Sequence, residues 1–274
     1  MEIKDRKFSN PASLAAQPWQ GWALITGGTS GIGYEFARQL AQRGMNIVLV
    51  ARDEERLHAR QAELQESYHV ECEICAGDLA DAAAVAKIKA RLLAAENPIT
   101  VFVNNAGCGL YARLSSTDYS EIRRAAEIMG LAPMELGGAA AVAMKERGAG
   151  VIINTSSIAA LAPMGAYSAI KVLLKNFSDS LSLELQGTGV QVLTFLPSWV
   201  HTEFHARTGV SNSSIPNWVW KNPEEVVAEA LAGVEKGKNT VIPARRIRMV
   251  AFLAKHLPDS LVRRAARKLN KGRR

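Results

Sequence analysis

Three small sets of residues in this chain carry groups able to do chemistry. Tyr167 and Lys171 stand four apart in Tyr167-Ser168-Ala169-Ile170-Lys171, so on a helix they share one face. An ammonium beside a phenol favours the phenolate and makes tyrosine a usable acid and base near neutral pH. Ser156-Ser157 closes the β-branched run Val151–Thr155 and supplies hydroxyls ten residues before the tyrosine. The third set is Thr26-Gly27-Gly28-Thr29-Ser30-Gly31-Ile32-Gly33, placed between the apolar Trp22–Ile25 and the amphipathic Tyr34–Leu40. Strand, glycine turn and helix present backbone amides and a positive helix end to an anion, which is how a dinucleotide pyrophosphate is held. Each set alone is common: a glycine turn can be only a turn, and a Tyr-x-x-x-Lys pair only a helix surface. Their succession along one chain gives them weight.

The elements that must position these sets are legible from periodicity. Short apolar runs at Ala23–Thr26, Asn46–Val50, Val70–Cys75, Thr100–Val103, Val151–Thr155, Gln191–Phe195 and Thr240–Ile242 alternate with helical patterns such as Asp81–Ala95 and Tyr167–Gln186. Strands separated by helices predict an α/β fold: one doubly wound, Rossmann-type parallel sheet of about seven strands with helices on both faces. Ligands of such sheets sit beyond the C-terminal strand ends. After the second strand comes Ala51-Arg52-Asp53, where the guanidinium favours a 2′-phosphate and hence NADP(H). Asp53 leaves NAD(H) open, and both residues are also what the start of a solvated helix looks like. After the third strand, Asp78 can accept from an adenine amino group, with the Leu79 amide beside it. After the fourth, Asn104-Asn105-Ala106-Gly107 lets a cofactor pass close to backbone.

Together these residues resemble the short-chain dehydrogenase/reductase family over residues 21 to about 245. The likeness rests on Thr26-Gly27-x-x-x-Gly31-x-Gly33, Asp78, Asn104-Asn105-Ala106-Gly107, the serine pair, Tyr167-x-x-x-Lys171 and Pro197-Ser198-Trp199-Val200-His201-Thr202. The resemblance implies an NADP(H)-dependent oxidoreductase that interconverts a ketone or aldehyde and an alcohol by hydride transfer. Tyr167 would be the general acid. Ser157, or alternatively Ser156, would hydrogen-bond the carbonyl oxygen, and Lys171 would bind the nicotinamide ribose and tune Tyr167. Gly27, Thr29, Ser30, Gly31, Ile32, Gly33, Arg52, Asp78, Leu79, Asn105, Ala106, Gly107 and Pro197 would line the cofactor. Val200 and Thr202 would hold its carboxamide and diphosphate side. Three departures stand out. The asparagine usual on the helix after the fourth strand falls on Met129, or on Gly130 if the register slips by one, and neither supplies an amide. Ser157 and Tyr167 are closer in sequence than in most of the family, and Ser198 replaces a glycine. The missing asparagine motivates an alternative, a cofactor-binding sensor or scaffold with little catalysis; the intact Ser157, Tyr167 and Lys171 oppose it.

Composition bounds the rest. The 274 residues suit one large α/β domain or two small ones, and no apolar run is long enough for a transmembrane helix. The charged start Met1–Phe8 does not read as a signal peptide, so a cytoplasmic location is expected. Cys72 and Cys75 form a C-x-x-C on a strand, where positions three apart face opposite sides, so no metal is expected. Residues 244–274 hold eleven Lys/Arg and one acid, against a net −3 for the remainder, which argues against nucleic-acid binding by the main domain. Three regions follow: an irregular lead-in over 1–20, the domain over 21–245 with a lid near 204–222, and a basic tail over 246–274. Val241–Lys255 reads as an amphipathic helix fit to lie on anionic lipid, or equally to cap the domain or bind a partner. The lipid reading, with Phe204, Trp218 and Trp220 in the lid, points to an apolar substrate such as a ketoacyl chain or steroid. A homodimer or homotetramer is expected, with Gly137–Ala141 small enough for close helix contact, in the core or between subunits.

Overall fold

A computed structural model describes residues 19–110, 112–202, 219–244 and 248–249. The lead-in up to residue 18, most of the expected lid and nearly all of the basic tail lie outside them. Seven strands form one parallel sheet in the order β3-β2-β1-β4-β5-β6-β7. These are β1 (Trp22–Thr26), β2 (Asn46–Ala51), β3 (Cys72–Ala76), β4 (Ile99–Asn104), β5 (Gly150–Thr155), β6 (Val190–Phe195) and β7 (Thr240–Val241). The helices are α1 (Gly31–Ala41), α2 (Glu54–Tyr68), α3 (Ala82–Leu93), α4 (Ser120–Ala126), α5 (Ala132–Arg147), α6 (Ala166–Glu184) and α7 (Pro223–Glu235).

The alternation of strand side chains sorts the core into two layers. Leu24, Val48, Phe102, Ile152 and Val192 pack with Ile88 of α3, Leu136 of α5 and Ile170 of α6. Their neighbours Ala23, Ile25, Leu49, Val103, Ile153 and Phe195 pack with Phe36 of α1, Leu57 of α2 and Leu231 of α7. Phe36 meets Phe195 edge to face at 5.8 Å. Cys72 and Cys75 fall into opposite layers, as the strand reading requires. Burial pushes the Cys72 thiol up to about 12 and raises that of Cys75, so both behave as small apolar groups.

Two expectations change. Val241 ends β7 and Ala244 takes a left-handed φ of 68°, so the tail helix cannot begin at Val241. The helix expected after β4 is present but widened in the middle, where a π-turn over Glu127–Leu131 joins α4 to α5 without a break. The wider turn buries Ile128, Met129 and Gly130 in succession. Within the small-residue stretch, a Cβ on Gly137 would stand 3.0 Å from the Phe177 ring of α6, whereas one on Gly138 would meet nothing within 4 Å. Among the described residues no helix is long and apolar enough to cross a membrane.

Candidate active site

All the selected residues that are described lie at the C-terminal edge of the sheet, because each follows a parallel strand. Thr26 ties the ends of β1 and β4 together. Its Oγ1 accepts from the amides of Asn105 at 2.9 Å and Ala106 at 3.0 Å, while Asn105 Nδ2 donates back to the Thr26 carbonyl at 3.1 Å. Gly27 and Gly31 have φ of 67° and 55°, a region costly for other residues. Gly33 is forced by proximity: a Cβ there would lie 2.2 Å from the Gly27 carbonyl oxygen.

The start of α1 is left open by its own residues. Ser30 makes no side-chain capping bond and the first turn holds no acid. Thr202 reaches it from the other side, with its methyl 2.9 Å from where a Gly31 Cβ would be. That approach is held by Val200 bridging to Lys221, with His201 N donating to Lys221 O at 2.9 Å. An uncapped helix end behind left-handed glycines fits a diphosphate.

On the other side of the cleft, Lys171 is 3% exposed and its Nζ donates to the Thr155 carbonyl at 3.0 Å. The same Nζ stands 5.7 Å from the centre of the half-buried Tyr167 ring. Burial lowers the Lys171 ammonium to about 8, with Cys108 acting the other way. The α6 turn carrying Tyr167 is fastened by Ser168, which accepts from Met164 N at 2.8 Å and donates to Gly165 O at 2.9 Å. The serine alternatives separate. Ser156 is 2% exposed and its hydroxyl is spent on the Lys171 carbonyl at 2.7 Å. Ser157 is half-buried and accepts from Ala159 N at 3.1 Å, starting the 3-10 turn Ile158–Leu161 that packs on α6. A hydroxyl accepting from an amide keeps its own proton to donate.

Met129, not Gly130, faces the β4 turn. It is fully buried, and its Sδ accepts from Cys108 N at 3.5 Å. Gly130 instead lets Leu173 of α6 approach, 3.0 Å from where its Cβ would be. Pro197 is buried beneath the site, and its carbonyl accepts from Ile158 N at 3.1 Å.

At the far end, Asp53 is spent on the N-terminus of α2, accepting from Arg56 N at 3.0 Å. Arg52 is exposed, 4.0 Å from Asp78 Oδ2. Asp78 Oδ1 accepts from Ala80 N at 2.9 Å, and Oδ2 accepts from Arg124 Nη2 at 2.5 Å. Burial works against the Asp78 charge, but the Ala80 amide and the two guanidiniums hold its carboxyl below the usual range. Leu79 is buried beside it.

Sequence reasoning missed Ser168, Arg124 and a buried polar ladder under the strand ends. In that ladder Asn104 Nδ2 donates to Asn154 Oδ1, Asn154 Nδ2 to Ser178 Oγ, and Thr194 Oγ1 joins Ser178 to Asp179. Only the polar residues inside apolar strand runs could have signalled it.

Parallel strands in this order, a glycine turn at the first strand end and a Tyr–Lys pair at the fifth define a dinucleotide-fold oxidoreductase. The family model for short chain dehydrogenase matches residues 21–211. The very-long-chain 3-oxoacyl-CoA reductase of Bos taurus is 33% identical over 232 residues, covering 81% of this chain and 72% of the relative. A solved short-chain dehydrogenase from Sphingobium yanoikuyae in complex with NADPH is 31% identical, with a TM-score of 0.79 over 86% of this chain and 93% of that one. The bulky-bulky ketone specific alcohol dehydrogenase of Comamonas testosteroni is 30% identical, with a TM-score of 0.74 over 86% and 92%. The chain belongs to the short-chain dehydrogenase/reductase family and is an oxidoreductase of it.

Proposed function

We propose that this enzyme reduces an apolar ketone to the alcohol with NADPH, and that Tyr167, Lys171 and Ser157 act on the carbonyl. The observation that carries the reading is the desolvated Lys171 one helical turn from Tyr167. The nicotinamide supplies hydride when bound. Ser157 donates a hydrogen bond to the carbonyl oxygen as charge grows there, and Tyr167 delivers the proton to that oxygen. Lys171 holds positive charge against the phenol while its stem is locked in the core. The uncapped start of α1, with Thr202, receives the diphosphate, and the turn from Asn105 to Gly107 gives it room. The 3-oxoacyl-CoA reductase and bulky-ketone relatives support an apolar substituent on the substrate.

The test is NADPH oxidation by the purified protein with 3-oxoacyl thioesters of increasing chain length, bulky ketones and ketosteroids, with NADH alongside. Turnover that rises with chain length is the expected result. Saturable NADPH binding with no turnover on any of them would favour the non-catalytic alternative, for which the buried Met129 is the motive.

Two further results are expected. Arg52→Ala raises the Kd for NADPH by about tenfold and leaves NADH within twofold, since only one cofactor has a 2′-phosphate to lose a charged partner; equal losses would exclude this role. The rate constant kcat/KM for NADPH, which reports the free enzyme, falls as pH rises through about 8. The sign follows from burial: the ammonium is charged below that value and neutral above it. A profile flat to pH 9.5 would show that the Lys171 charge is not used.

A further inference from the structure

Arg124 lies on α4, 46 residues from Asp78, and no turn or motif joins them. Yet its Nη2 reaches Asp78 Oδ2 at 2.5 Å, on the same oxygen that Arg52 approaches at 4.0 Å. The guanidiniums come from the end of β2 and from a helix beyond β4, and they meet on the acid at the end of β3. Both remain accessible, with side chains 62% and 51% exposed. An open groove of about 590 Å³ runs along Arg124, lined by Ala80, Tyr119 and Arg123 and also by the acids Asp118 and Glu127, so a ligand group has space beside it.

Charge decides what this cluster is for. One carboxylate between two guanidiniums leaves a net +1. With Asp53 turned to the start of α2, Asp78 is the acid that both guanidiniums approach, and so the one set closest to a phosphate held by Arg52. An unpaired Asp78 would repel the dianion of a 2′-phosphate held by Arg52. Paired to Arg124, it can still accept from an adenine amino group through its remaining lone pairs while its field is offset.

Resting on the NADPH reading above, we propose that Arg124 is a specificity-determining residue of the cofactor site: with Arg52 it makes a two-cation cradle around Asp78 that favours the 2′-phosphorylated cofactor. The test is the Kd of the intact protein for NADPH and NADH by fluorescence titration, and displacement of NADPH by 2′-AMP and 5′-AMP. Wild type, Arg124→Gln and Arg124→Lys are compared at low and high salt. Arg124→Gln should raise the Kd for NADPH and for 2′-AMP about fivefold while NADH and 5′-AMP stay within twofold. Arg124→Lys should recover part of the loss, and the salt dependence of NADPH binding should weaken in Arg124→Gln. Equal weakening of both cofactors would mean that Arg124 only pins α4 to the β3 end, and an unchanged ratio would equally overturn the proposal. A wild type that prefers NADH overturns the NADPH reading itself, and with it this inference; a wild type that discriminates, with a variant that does so equally, overturns the inference alone.

Discussion

Tyr167→Phe is expected to cut the turnover of carbonyl reduction by about a thousandfold or more while the Kd for NADPH stays within twofold. The substitution removes one oxygen and keeps the ring, so the half-buried packing on α6 survives and the Lys171 ammonium keeps the ring at 5.7 Å. Lys171 remains anchored on the Thr155 carbonyl, and the glycine turn and Thr202 are untouched. Binding and chemistry should therefore separate cleanly. Single-turnover kinetics with pre-bound NADPH, set beside a fluorescence titration of the same preparation, gives both numbers. A variant that reduces ketone at the parent rate would assign the proton to another group.

The second large effect is structural in origin. Gly33→Ala places a methyl 2.2 Å from the Gly27 carbonyl oxygen and 2.5 Å from Asn105 Nδ2. Neither neighbour can give way cheaply. One is backbone in a left-handed turn, and the other is the amide that bonds the β4 end to Thr26. Displacing them should cost about 3 kcal/mol or more. For a domain of this size that is a fall in Tm of roughly 6–12 °C. Saturable NADPH binding should vanish with it, because the same turn would carry the diphosphate. Gly138→Ala is the matched control. Its Cβ meets nothing within 4 Å, and alanine is the better helix former by about 1 kcal/mol, so Tm should hold or rise. Equal Tm for Gly33→Ala and the parent would show that the turn relaxes freely.

How much of this was legible depends on the distance over which each feature is determined. The amino-acid sequence by itself determined the features made of neighbours. The alternation of apolar runs with helical patterns sets the seven strands, because a strand buried on both faces needs continuous apolar residues. The Tyr167–Lys171 pair shares a face because a helix repeats every ~3.6 residues. The glycines of the first turn announce a backbone that bends through left-handed conformations. Features joining distant segments were decided only by the tertiary structure. Ser156 and Ser157 are equivalent as letters; the Lys171 carbonyl, brought up by the packing of α6 on β5, takes one hydroxyl and leaves the other. Met129 and Gly130 could not be told apart by counting, because the π-turn between α4 and α5 alters the helical phase within the stretch being counted. Arg124 carries no local signal at all. It meets Asp78 because the crossover from β4 brings α4 back beside the end of β3, and charge attraction over a few ångströms is blind to separation along the chain.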